Sequence, residues 1–335
     1  MSQKVQAKEK NLFKFQANII KYFSFSTIII LVILFTSIEP TFLNTMNLKN
    51  LLSDSAPLVI MAAGMTSVLM LGSIDLAMGS VCSVCNVLTI LLINEVGAAT
   101  ESPVAAAVVA LLAVVAFGLF SGLLLGFVHV KLKVPSFIAS LGFMSLWQSV
   151  AFLITPRPVS VAKTLRVSLE WVRISFGVVG LPLVLALVWV AVIFLMQSRT
   201  TMGKAIYSIG GNERSSRIAG IDVDNTKIGV FMLNGVCAAL GGFFLAAKLR
   251  SSAPTVGDPF TLLIVASVAL GGTSLSGGSG GVLGTVLGVF TVSIIQNGMN
   301  FIGVDAYWQN IVFGFFVLAA VAISVDRSTR GLVVK

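Results

Sequence analysis

Asp75 is the only carboxylate in a glycine-bounded interruption, Gly72 to Ser80 (GSIDLAMGS), that separates two long apolar runs. An acid held at membrane depth is costly and therefore signals a task. Two tasks suit a carboxylate there. It can accept backbone N–H groups that a broken helix leaves open, or it can accept from the hydroxyls of a passing solute. Ser274, in a second glycine-rich interruption, offers a hydroxyl of the same use. Amides offer similar chemistry. Asn234, Gln296, Asn297 and Asn300 fall in or near two later apolar runs, and Asn297 and Asn300, three apart, share a helix face. Their alternative use is hydrogen bonding between helices. Trp147, Gln148 and Trp308 stand where an aromatic face or amide could meet a solute, or where tryptophan anchors a chain at a membrane interface.

Other chemistry is poorly provided for. Cys82 and Cys85 are spaced i, i+3 in an apolar segment and Cys237 stands alone, which is the pattern of small packing residues rather than of a metal or redox site. The single histidine, His129, precedes Lys131 and Lys133 and reads as an ordinary residue at a basic helix end. No paired nucleophile and base and no ligand cluster is legible, so neither catalysis nor a bound metal or cofactor is expected. The glycines at 271–288 do not form a phosphate-cradling loop, because no Lys-Ser or Lys-Thr follows and no strand precedes.

The elements that must position these residues are membrane helices. Hydrophobic residues make up 56% of the chain and charged residues 10%, against about 25% charged in a soluble domain. The net charge of +9 is then a matter of topology, not of nucleic-acid binding. A helix needs about 20 residues to cross the hydrocarbon core. Apolar runs give ten candidate spans, at 22–39, 53–72, 76–95, 103–128, 136–154, 178–197, 226–248, 260–275, 280–300 and 309–325. The third and eighth are the weakest and could be half-spans. Residues 1–21 and 326–335 are left as tails flanking a permeating domain at 22–325. The long basic start and the absence of a small-residue cleavage site before Glu39-Pro40 argue for a retained first helix. With the N-terminus inside, 15 of the 22 basic residues fall on inside segments, which places both termini in the cytoplasm.

The same rule places a polar island, Arg199 to Lys227, on the cytoplasmic side. A small helix is legible in it. Asn212 is a good N-cap, Glu213 suits the positive end, and Gly220 is placed to stop it. A capped, charged helix is not required to turn the chain around, so its expected use is docking to a soluble cytoplasmic partner. There is also an internal echo. Leu71 to Ser80 aligns with Leu270 to Ser279, with Leu, Gly, Leu, Gly and Ser recurring. Duplicated halves with glycine-broken helices are common in transporters. Beyond the echo, Gly281, Gly284 and Gly288 lie near one helix face, where backbones could approach closely.

These motifs resemble the permease subunits of bacterial ABC importers for ribose and related monosaccharides. Four stretches carry the resemblance: GSIDLAMGS at Gly72 to Ser80, LKVPSFIASLG at Leu132 to Gly142, TMGKAIYSIGGNERSSRIAGI at Thr201 to Ile221, and LGGTSLSGGSGG at Leu270 to Gly281 followed by Asn297 to Leu332. They thread through almost the whole chain beyond the first span. The resemblance implies a two-permease core whose second subunit is identical or paralogous. It further implies cytoplasmic ATP-binding subunits that hold ATP and Mg, and a periplasmic or lipid-anchored solute-binding protein. It makes residues 211–221, with Gly211, Asn212, Glu213, Arg214, Ser215, Ser216, Arg217 and Gly220, the coupling helix. The family's usual Ala-Ala pair is here Ser215-Ser216, still small. A second departure is at Phe260-Thr261-Leu262-Leu263, where the ribose-type pattern carries two acids in a Tyr-Glu-Leu-Asp-like run. Two charges are absent where the chain enters a span. That leaves the solute open and is compatible with pairing to a different permease that keeps the acids.

The expectation is therefore an all-α, polytopic inner-membrane permease. It would have about ten spans, glycine-rich broken or re-entrant segments and a short cytoplasmic coupling helix. It would import a small hydroxylated solute, a monosaccharide foremost, by alternating access. The translocation path is expected along Asp75, Ser274, Asn234, Asn297 and Asn300. A nucleoside or other polar solute is the alternative within the same superfamily. An ion-coupled secondary transporter is the alternative outside it, and it would need more membrane-embedded acids than Asp75.

Overall fold

Apolar runs become helices because a bilayer offers no water to satisfy bare backbone. In a computed structural model that describes residues 25–324, helix α1 (Phe25–Ile38) is followed by α2 (Thr45–Met70), α3 (Met78–Thr100), α4 (Pro103–Lys131) and α5 (Ser136–Ile154). After a long connection come α6 (Leu181–Arg199), α7 (Thr201–Gly211), α8 (Glu213–Ile218) and α9 (Val223–Leu249). The chain continues through α10 (Phe260–Leu270), α11 (Val282–Phe301) and α12 (Ala306–Ser324). The expected tails at 1–21 and 326–335 lie outside the described residues.

Seven helices among the described residues, α2 to α6, α9 and α11, are long and apolar enough to cross a membrane. The architecture is thus all-α and polytopic, as the sequence leads one to expect. Two expected spans need comment. The weakly marked third is α3, a full 23 residues. The equally weak eighth is α10, only 11 residues, or about 16 Å at a rise of ~1.5 Å per residue, roughly half of a ~30 Å core.

Helix α2 is the hub. It is buried from Ser55 to Met70 and sheathed by α6, α9, α10 and α11. The broadest helix pairing is α4 on α9, made close by glycine. Added methyls on Gly122 and Gly235 would overlap the carbonyls of Phe231 and Gly118. Glycine at such a crossing lets backbones touch where apolar burial alone gives helices in lipid little reason to associate.

Between α9 and α10 the backbone leaves helical form but not the protein. Side chains of α3 satisfy it: Ala253 N–H donates to Asn86 Oδ1 at 2.9 Å and Gly257 N–H to Ser83 Oγ at 2.9 Å. Gln148 Nε2 donates to the Pro254 carbonyl at 2.9 Å. Buried non-helical backbone persists only where its polar groups find partners. The connection between α5 and α6 carries a 3-10 segment, Lys163–Arg173, and a hairpin of β1 (Ser175–Phe176) and β2 (Val179–Gly180).

The internal echo is present in the backbone, one residue away from the letter alignment. Helix α2 ends with Gly72 N–H donating to Leu69 O and Ser73 N–H to Val68 O. Helix α10 ends with Gly272 N–H donating to Ala269 O and Thr273 N–H to Val268 O. Each turn is closed by a left-handed glycine, φ +73° at Gly72 and +85° at Gly272, a conformation that costs glycine nothing. Gly72 therefore corresponds to Gly272, not to Gly271, because the turn is set by the residue that takes positive φ.

Candidate functional site

The polar island is two helices, not one. Thr200 caps α7, its hydroxyl accepting from Gly203 N–H at 3.2 Å. Gly203, Ile206 and Ile209, spaced by three, are buried along one face. Helix α8 begins at Asn212, whose Oδ1 accepts from Ser215 N–H at 2.9 Å. It ends in the same glycine turn as α2 and α10, with Gly220 at φ +83° and Ile221 N–H on Ser216 O. Ser216 is buried and its hydroxyl meets that of Ser208 on α7 at 2.8 Å, while Arg214 and Ser215 face outward. Gly211 and Gly220 have open space where a side chain would lie.

A charge cluster holds α8 to the transmembrane helices. Glu213 pairs with Lys227 at 2.7 Å and with Arg217 at 3.4 Å. Arg217 reaches Asp224 at 2.9 Å, and Asp224 reaches Lys131 at the end of α4 at 3.2 Å. Partial burial would raise the Glu213 carboxyl, but the hydrogen bonds and charges of Lys227 and Arg217 outweigh it and hold that group below the usual range. Above the cluster lies a cavity of about 490 Å³ bounded by His129, Lys133, Glu213 and Lys227. His129 is not the plain surface residue expected. It is half-buried, its Nδ1 against Val134 O at 2.8 Å and its ring against Phe231.

Helix α7 rests on both helix breaks. Gly210 is seated so closely on Met70 O and Gly278 N that a methyl there would overlap both. Those two atoms are themselves bonded, Gly278 N–H donating to Met70 O at 2.9 Å. The Tyr207 hydroxyl donates to Gly280 O at 2.7 Å. Partial burial pushes this hydroxyl's pKa up, so it keeps its proton. From α6, Gln197 bridges Ser67 Oγ and Val282 N–H, each at 3.1 Å.

Asp75 and Asn234 are brought together. The first break carries Asp75 back to a level midway along α9, where Oδ2 accepts from Asn234 Nδ2 at 2.8 Å and Oδ1 from Ala77 N–H at 2.8 Å. Both residues are buried, and Asn234 Oδ1 and Asn86 Nδ2 have no hydrogen-bond partner among the described residues. The other amides go elsewhere. Asn297 and Asn47 exchange two hydrogen bonds of 3.0 Å near the start of α2, and Asn300 accepts from Gln309 at 2.8 Å. Ser274 accepts from Ser276 N–H at 3.2 Å within its own turn.

Gly284 and Gly288 lie hard against Gly271 O, just past α10, and Ser267 O within it, whereas a methyl on Gly281 would make only ordinary contact with the Tyr207 hydroxyl. Where the ribose-type pattern carries an acid, Thr261 is buried and its hydroxyl accepts from Gly79 N–H at 3.1 Å. The cysteines are free and buried, and Cys237 Sγ accepts from Trp189 Nε1 at 3.3 Å. Trp147 is buried among Phe117, Phe120 and Phe143 rather than anchored at an interface. Ser83, Asn86 and Gln197 have no role in the sequence reading, and Tyr207 and Thr261 enter it only as members of the quoted motifs. Gln197, an amide one turn from the end of α6, and Asn86, an amide within an apolar run, carry a signal of residue type.

Membrane helices wrapped about a hub, two glycine-closed breaks and a capped helix at one end define a transport permease. A family profile described as "Branched-chain amino acid transport system / permease component" matches residues 47–321, and the chain belongs to that family as a multi-pass inner-membrane protein. It is 36% identical over 308 residues to the ribose import permease protein RbsC of Escherichia coli (strain K12), covering 90% of this chain and 92% of that one. It is also similar to two other proteins of that organism. One is the inner membrane ABC transporter permease protein YjfF, at 34% over 299 residues, 88% of this chain and 87% of that one. The other is the D-allose transport system permease protein AlsC, at 29% over 324 residues, 96% of each. No solved structure matches the chain.

Proposed function

We propose that this chain is the permease subunit of an ABC importer that carries a monosaccharide inward by alternating access. The observation that carries the reading is the alignment with a ribose import permease over 90% of this chain. The similarity to a D-allose permease supports the same solute class. The site's geometry fits it. Asp75 and Asn234 put a carboxylate and an open amide oxygen at the middle of the bundle, beside a break, where a hydroxylated solute would find acceptors. The path passes Asp75, Asn234 and the Ser274 turn, while Asn297 and Asn300 brace its walls. Affinity resides mainly in a separate solute-binding protein. Helix α8, with Arg214 and Ser215 outward, is the surface offered to a cytoplasmic ATP-binding subunit, which holds ATP and Mg. Both termini and the 199–227 segment share that side. Ten spans, with α10 as a half-span, complete the bundle, and a second permease subunit completes the core.

Uptake of labelled ribose, D-allose and a nucleoside tests the reading in cells that also express the ATP-binding subunit and solute-binding protein. The expected result is saturable monosaccharide uptake that persists when a protonophore collapses the proton gradient while ATP is maintained. Uptake that disappears with the gradient would overturn it in favour of ion coupling. Uptake of the nucleoside alone would reassign the solute.

A further inference from the structure

Helix α7 does more than lead to α8. It touches both breaks at once. Gly210 sits on the last carbonyl of α2 and on Gly278 of the second break. Tyr207, three residues earlier on the same face, holds Gly280 O at 2.7 Å. The two breaks touch beneath it, Gly278 to Met70 at 2.9 Å, and Gly277 against Gly72. At the same end of α7, Asn212 joins it directly to α8, and the Ser208–Ser216 hydroxyl pair at 2.8 Å ties the two short helices together.

We infer that Tyr207 and Gly210 are positioning residues that form a single joint, through which displacement of α8 moves both helix breaks together. The inference rests on the importer reading. The physical argument is one of stiffness. Both contacts lie in the last turn of α7, next to α8, so little chain intervenes to absorb a displacement, and backbone-to-backbone contact leaves no flexible side chain to absorb it either. The joint has one polar hook, Tyr207, and one steric seat, Gly210. The hook pulls the second break when α7 recedes. The seat pushes both breaks when α7 advances. Ser276, exposed at the tip of the second break with its carbonyl against Gly72, reports the motion.

The test uses the full permease with its ATP-binding subunit in proteoliposomes. Cys82, Cys85 and Cys237 are replaced and Ser276→Cys is introduced. The rate of maleimide labelling at position 276 is measured without nucleotide and with ATP plus vanadate. The joint predicts a clear nucleotide-dependent change in the unsubstituted background. In Tyr207→Phe that change should be about fivefold smaller, as expected for loss of one hydrogen bond. In Gly210→Ala it should be abolished. The ATP-binding subunit should still co-purify in both, which a merely misfolded permease would not allow. Tyr207→Phe loses a single hydroxyl and tests the hook even if Gly210→Ala is poorly produced. A full nucleotide response in Tyr207→Phe, or none in the unsubstituted background despite co-purification, would overturn the joint. Failure of the unsubstituted permease to bind the ATP-binding subunit would instead overturn the importer reading, and the joint with it.

Discussion

The two helix breaks start alike and are finished differently. After the shared glycine turn, the first break (residues 71–77) is fixed by side chains. Asp75 spans to Asn234 on α9, and Ile74 N–H donates to Ser136 Oγ at the start of α5 at 3.2 Å. The second break (residues 271–281) is fixed mainly by backbone. Ser274 N–H meets Ser279 O, Gly278 N–H meets Met70 O, and Tyr207 reaches a carbonyl, not a side chain. Four of its glycines have positive φ. One turn type thus serves two ends. A buried carboxylate bonded to neighbouring elements makes a wedge. A run of glycines bonded through main chain makes a segment that can change its torsions without losing side-chain partners.

Substitutions should separate wedge from hinge. The largest effect is expected at Gly288, where a side chain would overlap Ser267 O and prise α11 from α10. Gly288→Leu should reduce uptake at least tenfold, with less permease in the membrane, since overpacking costs about 1–3 kcal/mol or more. Gly281→Ala meets no atom closer than 3.4 Å and should keep both within about twofold. Equal damage from the two would erase the distinction. Next comes the wedge. Asp75→Ala leaves the Asn234 amide and the Ala77 N–H without their acceptors, at about 1–3 kcal/mol each, so immunoblotted permease levels should fall severalfold. Asp75→Asn keeps an acceptor oxygen, so its level should hold within about twofold while solute uptake drops. Undiminished uptake in that variant would confine Asp75 to holding the break. The smallest effect is expected for Ser136→Ala, which frees only the partly buried Ile74 N–H. At about 1 kcal/mol it should slow uptake by no more than about fivefold. A loss as deep as Asp75→Ala would move the wedge's anchor from α9 to α5.

Features set by neighbouring residues were open to reading from the chain, and features set by distant ones were not. Asn212 as a cap and Gly220 as a stop need only the residues beside them, and both appear as read. Apolar length places most helices within a few residues. It misplaces the start of α2, read at 53, because Thr45 to Leu52 is about two turns of mixed polar and apolar residues launched by the Asn44 cap rather than by hydropathy. Helix α7 escapes the sequence because Lys204 and three glycines mask the three-residue spacing of Gly203, Ile206 and Ile209. Letter matching shifts the echo by one, since it favours the Leu-Gly identity over the residue that must turn left-handed. Asp75 with Asn234, and Asn47 with Asn297, are pairs 159 and 250 residues apart. Residue types mark each as polar and buried, but only the helix packing decides which meets which.

The bond from Gly278 to the Met70 carbonyl bears on how the chain is made. Synthesis delivers α2 early, yet the group that completes its last turn arrives some two hundred residues later. Until then the carbonyl must be served by water, by the insertion machinery or by a provisional neighbour, because hydrocarbon offers it nothing. The hub of the bundle is therefore finished only when nearly the whole protein has entered the bilayer. A truncation anywhere before the second break leaves α2 with an unmet polar end at the carbonyl of Met70.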